Sequence, residues 1–125
     1  MNWDYFFTGN YFADDNDIDA IGFGGYIYAR GGDDQAFVFG EGSLIDAGNG
    51  QDYVVTIGNN NQIELGESND FARVFGNDNR IDGCSGHDVI KLMGYHAVIN
   101  GGEGDDHLIA AAISKFSEFD IFIAN

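Results

Sequence analysis

Apolar residues recur along this chain in short runs at a spacing of two, with no helical stripe. Ala36 and Val38, Ala72 and Val74, Ile90 and Leu92, and Leu108 and Ala110 pair in this way, as does Val54 with the β-branched Thr56, the period of a strand with one buried face. Each run opens behind an aspartate: Asp34, Asp52, Asp70, Asp88 and Asp106 stand 18 residues apart without a slip, and one step back falls on Asn16. Midway between them GEGSLI, GNNNQI, GNDNRI and GYHAVI begin at Gly40, Gly58, Gly76 and Gly94, so Ile45, Ile63, Ile81 and Ile99 form a second column, with Ile27 a step earlier. A fixed internal period marks a solenoid. The pattern predicts an all-β fold, a parallel β-roll or β-solenoid of 18-residue turns, each with two corners and two short strands, and six rungs about 4.8 Å apart.

Gly, Asn and Asp tolerate left-handed backbone and fall at the corners, while Val, Ile and Phe fill the runs. The alternate positions of the isoleucine strands, Tyr28, Asp46, Glu64, Asp82 and Asn100, read as a solvated face. The aspartate-led strands are apolar on both parities, through Tyr53, Phe71 and Val89, through Phe37 and Val55 beside Arg73 and Lys91, and through Ile21, Phe39, Ile57, Phe75 and Met93. Two readings fit. Either this last column turns inward and the aromatic N-terminal segment covers the rest, or the face docks a partner through Tyr53, Phe71, Phe37 and Val55.

The ends break the grid. Residues 1–13, with Trp3, Tyr5, Phe6, Phe7, Tyr11 and Phe12, read as an N-terminal cap, residues 14–112 as the roll and residues 113–125 as a C-terminal cap, where the column isoleucine gives way to Ser117. Caps are expected because terminal rungs otherwise leave strand edges open. Ala110 to Phe119 reads equally as a short helix or a degraded rung.

Charge changes the picture. With 19 Gly, no Pro and a formal net charge of −16, the chain is highly acidic, yet 44% of its residues are hydrophobic and 14% aromatic, enough burial to offset ordering entropy. Arg30, Arg73, Arg80, Lys91 and Lys115 are too scattered for a phosphate-binding stripe, so nucleic acid is not an expected partner. No apolar run reaches membrane-span length. MNWDYFF lacks the basic region of a cleavable secretory signal. Cys84 is the single cysteine and is read as a small side chain in a glycine slot.

Stacked rungs bring the column aspartates within about 5 Å of one another, which calls for a neutralising cation. Calcium fits, taking six to eight oxygens that include backbone carbonyls turned by glycine. GGEGDDHLI at 101–109 resembles the nonapeptide G-G-x-G-x-D-x-(large apolar)-x of the repeats-in-toxin (RTX) family. AGNGQDYVV at 47–55 and GCSGHDVIK at 83–91 are close to it, and RGGDDQAFV at 30–38 and GESNDFARV at 66–74 less so. The resemblance implies calcium held between turns by Asp34, Asp52, Asp70, Asp88 and Asp106, with backbone roles for Gly31, Gly48, Gly50, Gly66, Gly86, Gly102 and Gly104. It also implies a secreted, extracellular bacterial toxin or adhesin exported by type I secretion, in which the chain is a calcium-dependent folding and interaction module that meets a neighbouring domain, a host-surface protein or a glycan. An accessory roll of an extracellular enzyme and a carbohydrate- or protein-binding surface that uses the apolar strand face are the alternatives. At the other corner the aspartate slot holds Ser43, Asn61, Asn79 and Ala97, so calcium is expected along one edge only, with amide hydrogen bonds along the other. Asp33, Asp105, Glu67 and Glu103 read as solvated charges.

A catalytic role is not expected. Ser85, His87 and Asp88 crowd one corner, which does not allow the ordered contacts of a triad, and His87, His96 and His107 fall in unrelated columns, unlike zinc ligands.

Overall fold

The computed structural model describes residues 2–4, 8–10, 17–23, 25–111 and 121–124, with backbone alone before Gly25 and at 121, 122 and 124. In chain order the strands are β1 (Asn2–Asp4), β2 (Thr8–Asn10), β3 (Asp17–Phe23), β4 (Tyr26–Tyr28), β5 (Gln35–Glu41), β6 (Leu44–Asp46), β7 (Tyr53–Ile57), β8 (Gln62–Glu64), β9 (Phe71–Phe75), β10 (Arg80–Asp82), β11 (Val89–Met93), β12 (Ala97–Asn100), β13 (His107–Ala111) and β14 (Ile121–Ala124). The odd-numbered strands form one parallel sheet and the even-numbered strands the other, each stacked in chain order. The fold is therefore the expected parallel β-solenoid.

The 18-residue register is regular from Asp17↔Gln35 to Val89↔His107 in the odd sheet and from Thr8↔Tyr26 to Arg80↔Val98 in the even sheet. The ends depart from it. Asn2 pairs with Ile18, two residues short of the period, so part of the expected N-terminal cap continues the ladder. At the other end Ile99 pairs with Ile123, six residues beyond the period, so Ile123 and not Ser117 continues the isoleucine column. The apolar run Ile121–Ile123 suits a strand better than the polar residues at Ser117 and Glu118. Ala110 and Ala111 belong to β13; the rest of the ambiguous stretch, residues 112–120, lies outside the described residues, as do residues 5–7 and 11–16.

Between the sheets the core is one residue thick on each side. Ile27, Ile45, Ile63, Ile81 and Ile99 face Val38, Val54, Val74, Ile90 and Leu92, all buried. Burying each such side chain stabilises the fold by about 1.5–3 kcal/mol. Leu108 and Ala110, on the last rung of the odd sheet, are only partly covered.

Outside the odd sheet, Phe39 is 41% and Met93 46% exposed. Their column stays outward and does not turn into the core, because it shares the outward parity of Phe37 and Tyr53 along the pleat. Val55 is buried at 7% exposure, which corrects its reading as a surface contact: it lies in register between Phe37 and Arg73, whose larger side chains flank it.

Candidate metal centre

The aspartate-bearing corners are shaped by two left-handed rows. Arg30, Gly48, Gly66, Cys84 and Gly102 form one, and Gly32, Gly50, Ser68, Gly86 and Gly104 the other, all at φ between 71° and 126°. A bridging row, Gly31–Asn49–Glu67–Ser85–Glu103, runs between them. Gly31 thus belongs to the bridging row, and the left-handed position beside Asp34 is taken by Gly32, which the motif reading missed. Glycine is required here for space as well as φ, since a Cβ on Gly48 would strike the Arg30 carbonyl of the rung before.

Each corner places its aspartate in one vertical column. Asp52 Oδ1 accepts the Asp34 backbone N–H at 2.9 Å, Asp70 Oδ1 that of Asp52 at 2.8 Å, Asp88 Oδ1 that of Asp70 at 2.9 Å, and Asp106 Oδ1 that of Asp88 at 3.0 Å. The column therefore brings all five expected aspartates together. The second oxygens of Asp52, Asp70, Asp88 and Asp106 are buried with no hydrogen-bond partner. A buried ionised oxygen without a donor is costly.

The opposite corner shows what satisfaction looks like. Asn61 Oδ1 accepts the Ser43 N–H at 2.9 Å while its Nδ2 donates to the Gly40 carbonyl at 3.0 Å. Asn79 repeats both bonds with Asn61 and Gly58. The amide hydrogen bonds expected on this edge are present. An aspartate in the same frame keeps the first bond, but its second atom has no hydrogen to give.

Burial has the corresponding effect on acidity. It pushes the carboxyls of Asp88, Asp52 and Asp70 up to about 6, 7 and 8, against the relief of a backbone N–H and with help from neighbouring acids, Asp34 and Asp33 for Asp52, Asp52 and Asp88 for Asp70, and Asp106 for Asp88. Without a cation, the column favours protons.

Room for a cation differs along the column. The row just inside the corner reads Ala29, Ala47, Leu65, Gly83 and Gly101, all buried. At Gly83 the point a Cβ would fill lies 2.5 Å from Asp88 Oδ2 and 2.5 Å from the Gly101 carbonyl oxygen, within the 2.3–2.6 Å range of calcium–oxygen bonds. At Ala29, Ala47 and Leu65 a side chain is already there. Gly83 and Gly101 were absent from the expected ligand set, although they are the first glycines of the two motif copies GCSGHD and GGEGDD.

Among the described residues no three His, Cys, Asp or Glu side chains cluster as metal ligands. A site built here would draw on one or two carboxylates and several backbone carbonyls, a donor set suited to a hard cation. Asp33, Asp105, Glu67 and Glu103 are exposed. His87 is exposed whereas Asp88 is 1% exposed, so the two point to opposite sides of the corner. Burial pushes the Cys84 thiol up, away from the reactive thiolate form.

On the odd-sheet face, Tyr53 and Phe71 stack with centroids 5.0 Å apart and planes at 1°, and Lys91 Nζ lies 5.5 Å from the Phe71 centroid. Phe37 packs on Phe39 at 5.1 Å. No protein-family model, curated protein or solved structure matches the chain.

Proposed function

We propose that the chain is a calcium-binding module that folds on its cation and serves a secreted bacterial protein, a toxin or adhesin, as an interaction domain. The observation that carries the cation reading is the column of buried aspartates whose second oxygens face no donor, set against Asn61 and Asn79 on the other edge, each bonded through both Oδ1 and Nδ2. Secretion and the toxin context rest on the likeness of GGEGDDHLI and its in-phase copies to the RTX nonapeptide.

The residues present fit calcium. Asp88 Oδ2 and the Gly101 carbonyl converge beside Gly83, and Asp106 lies one rung below. When bound there, calcium supplies the positive charge that this corner lacks. The aspartates of the column, 18 residues apart in sequence, converge only once the rungs stack, so binding free energy becomes folding free energy, about 2.7 kcal/mol at 100 times the dissociation constant for a single site.

Far-ultraviolet circular dichroism and calorimetry with calcium, magnesium or chelator test the proposal. Calcium is expected to produce a cooperative gain of β signal that magnesium does not. Gly83→Ala, which sets a methyl in the cradle, is expected to weaken calcium binding at least tenfold. Identical melting in calcium and chelator would overturn the reading.

A further inference from the structure

We infer that the outward face of the odd sheet binds a second copy of this chain, face to face, with the two rolls running in opposite directions. This inference stands on the sheet and not on the cation column. The molecule is strongly acidic, and on the even sheet Asp46, Glu64 and Asp82 form a vertical row. The outward positions of β7, β9, β11 and β13 hold no carboxylate; they read Tyr53, Val55, Ile57, Phe71, Arg73, Phe75, Val89, Lys91, Met93, His107, Ile109 and Ala111. β5 adds Gln35, Phe37 and Phe39 with an exposed Glu41 at its end, and the β3 positions in register with Gln35 and Phe37 are Asp17 and Asp19. Two like-charged chains can approach on this face without opposing acid to acid.

The pattern is self-complementary about β7, the middle strand of seven. A two-fold axis along the strand direction lays β5 over β9 of the other copy and β7 over itself. Phe39 then meets Phe75, and Ile57 meets Ile57. Phe37 meets Arg73, a cation–π pairing. The backbone position of Asp19, in the register row of Phe37, lies opposite Lys91. An axis along the roll, centred over the column of Phe37, Val55, Arg73 and Lys91, would instead set Arg73 on Arg73 and Lys91 on Lys91, which like-charge repulsion disfavours. The antiparallel arrangement about β7 matches charge and apolar surface together.

Ring geometry favours a protein surface over a glycan. A sugar stacks on an open aromatic face, but Phe71 is flanked by the stacked Tyr53 ring and by Lys91. What these rings offer outward is their edges, which suit a second sheet packed about 10 Å away. Seven strands of about five residues give a footprint of about 500 Å² per copy, or about 1,000 Å² in all, the threshold of a specific interface.

Analytical ultracentrifugation of the folded chain, with circular dichroism of the same sample to establish folding, tests the inference. A species of twice the chain mass is expected at about 100 μM, and Phe39→Asp, at an exposed position, is expected to weaken it at least tenfold with the β signal unchanged. In a Cys84→Ser background, Ile57→Cys is expected to cross-link with a short bis-maleimide, and Glu64→Cys on the even sheet is not. A folded chain that stays monomeric, or cross-linking at residue 64 and not at 57, would overturn it. If the chain is monomeric and a glycan array is bound, the face is a sugar site and the inference fails.

Discussion

Asp88 and Asn79 occupy equivalent places in the two corners, and one atom separates their chemistry. Each accepts a backbone N–H from the preceding rung through Oδ1. Asn79 then donates through Nδ2 to Gly58, whereas Asp88 presents a buried oxygen with no donor. Replacing Asp88 by Asn is therefore expected to stabilise the metal-free roll by about 1–3 kcal/mol near pH 8, the cost of an unsatisfied buried group, and to remove most of the gain that calcium gives. Urea unfolding with chelator and with calcium measures both effects. A variant less stable than the wild type in chelator would mean that the second oxygen is not the strained atom. The motif aspartates and the asparagine substitutions were legible in the sequence because an 18-residue period puts equivalent residues in equivalent places. Gly83 was harder to recognise as a cradle, since its importance lies in what surrounds an absent Cβ, and a motif letter does not show that Leu65 fills the same place two rungs above Gly101.

At the scale of the corner column, burial makes the carboxyls weak acids, and the consequence for stability has a definite sign. Their folded values of about 6, 7 and 8 lie above the ordinary 3.8. Their protonated forms thus favour folding: this contribution is complete below about pH 4 and is lost as pH rises through 6 to 8. In chelator, the melting temperature is expected to fall across that window, and added calcium is expected to restore it while releasing protons into a weakly buffered solution. A metal-free roll that grows more stable from pH 6 to 8 would contradict the buried-carboxyl account. Strand identity was also legible at this scale, since alternation and corner glycines fixed β5 through β13. The terminal strands were not, because two residues are missing from the first turn and six are added to the last, and a period cannot announce its own interruption. The outward course of Phe39 and Met93 was likewise hidden, as apolar residues on both parities leave the inner face undetermined until the opposing sheet is in place.

Across the whole molecule, a formal charge of −16 is carried on a rod whose core is one side chain deep from each sheet. Like charge along the corners opposes stacking, and the interior is too thin to hold much stability in reserve. In the proposed reading, a cation at one edge and the largely apolar face of the odd sheet address different parts of this problem: the first would relieve repulsion between rungs, and the second would allow association without opposing acid to acid. The central claim is that the cation lodges among the rungs and not on the surface. Anomalous diffraction from crystals grown in excess calcium tests it most directly. The account predicts a peak beside Gly83, 2.3–2.6 Å from Asp88 Oδ2 and the Gly101 carbonyl oxygen; a corner without density there, with calcium found only at exposed carboxylates, would contradict it.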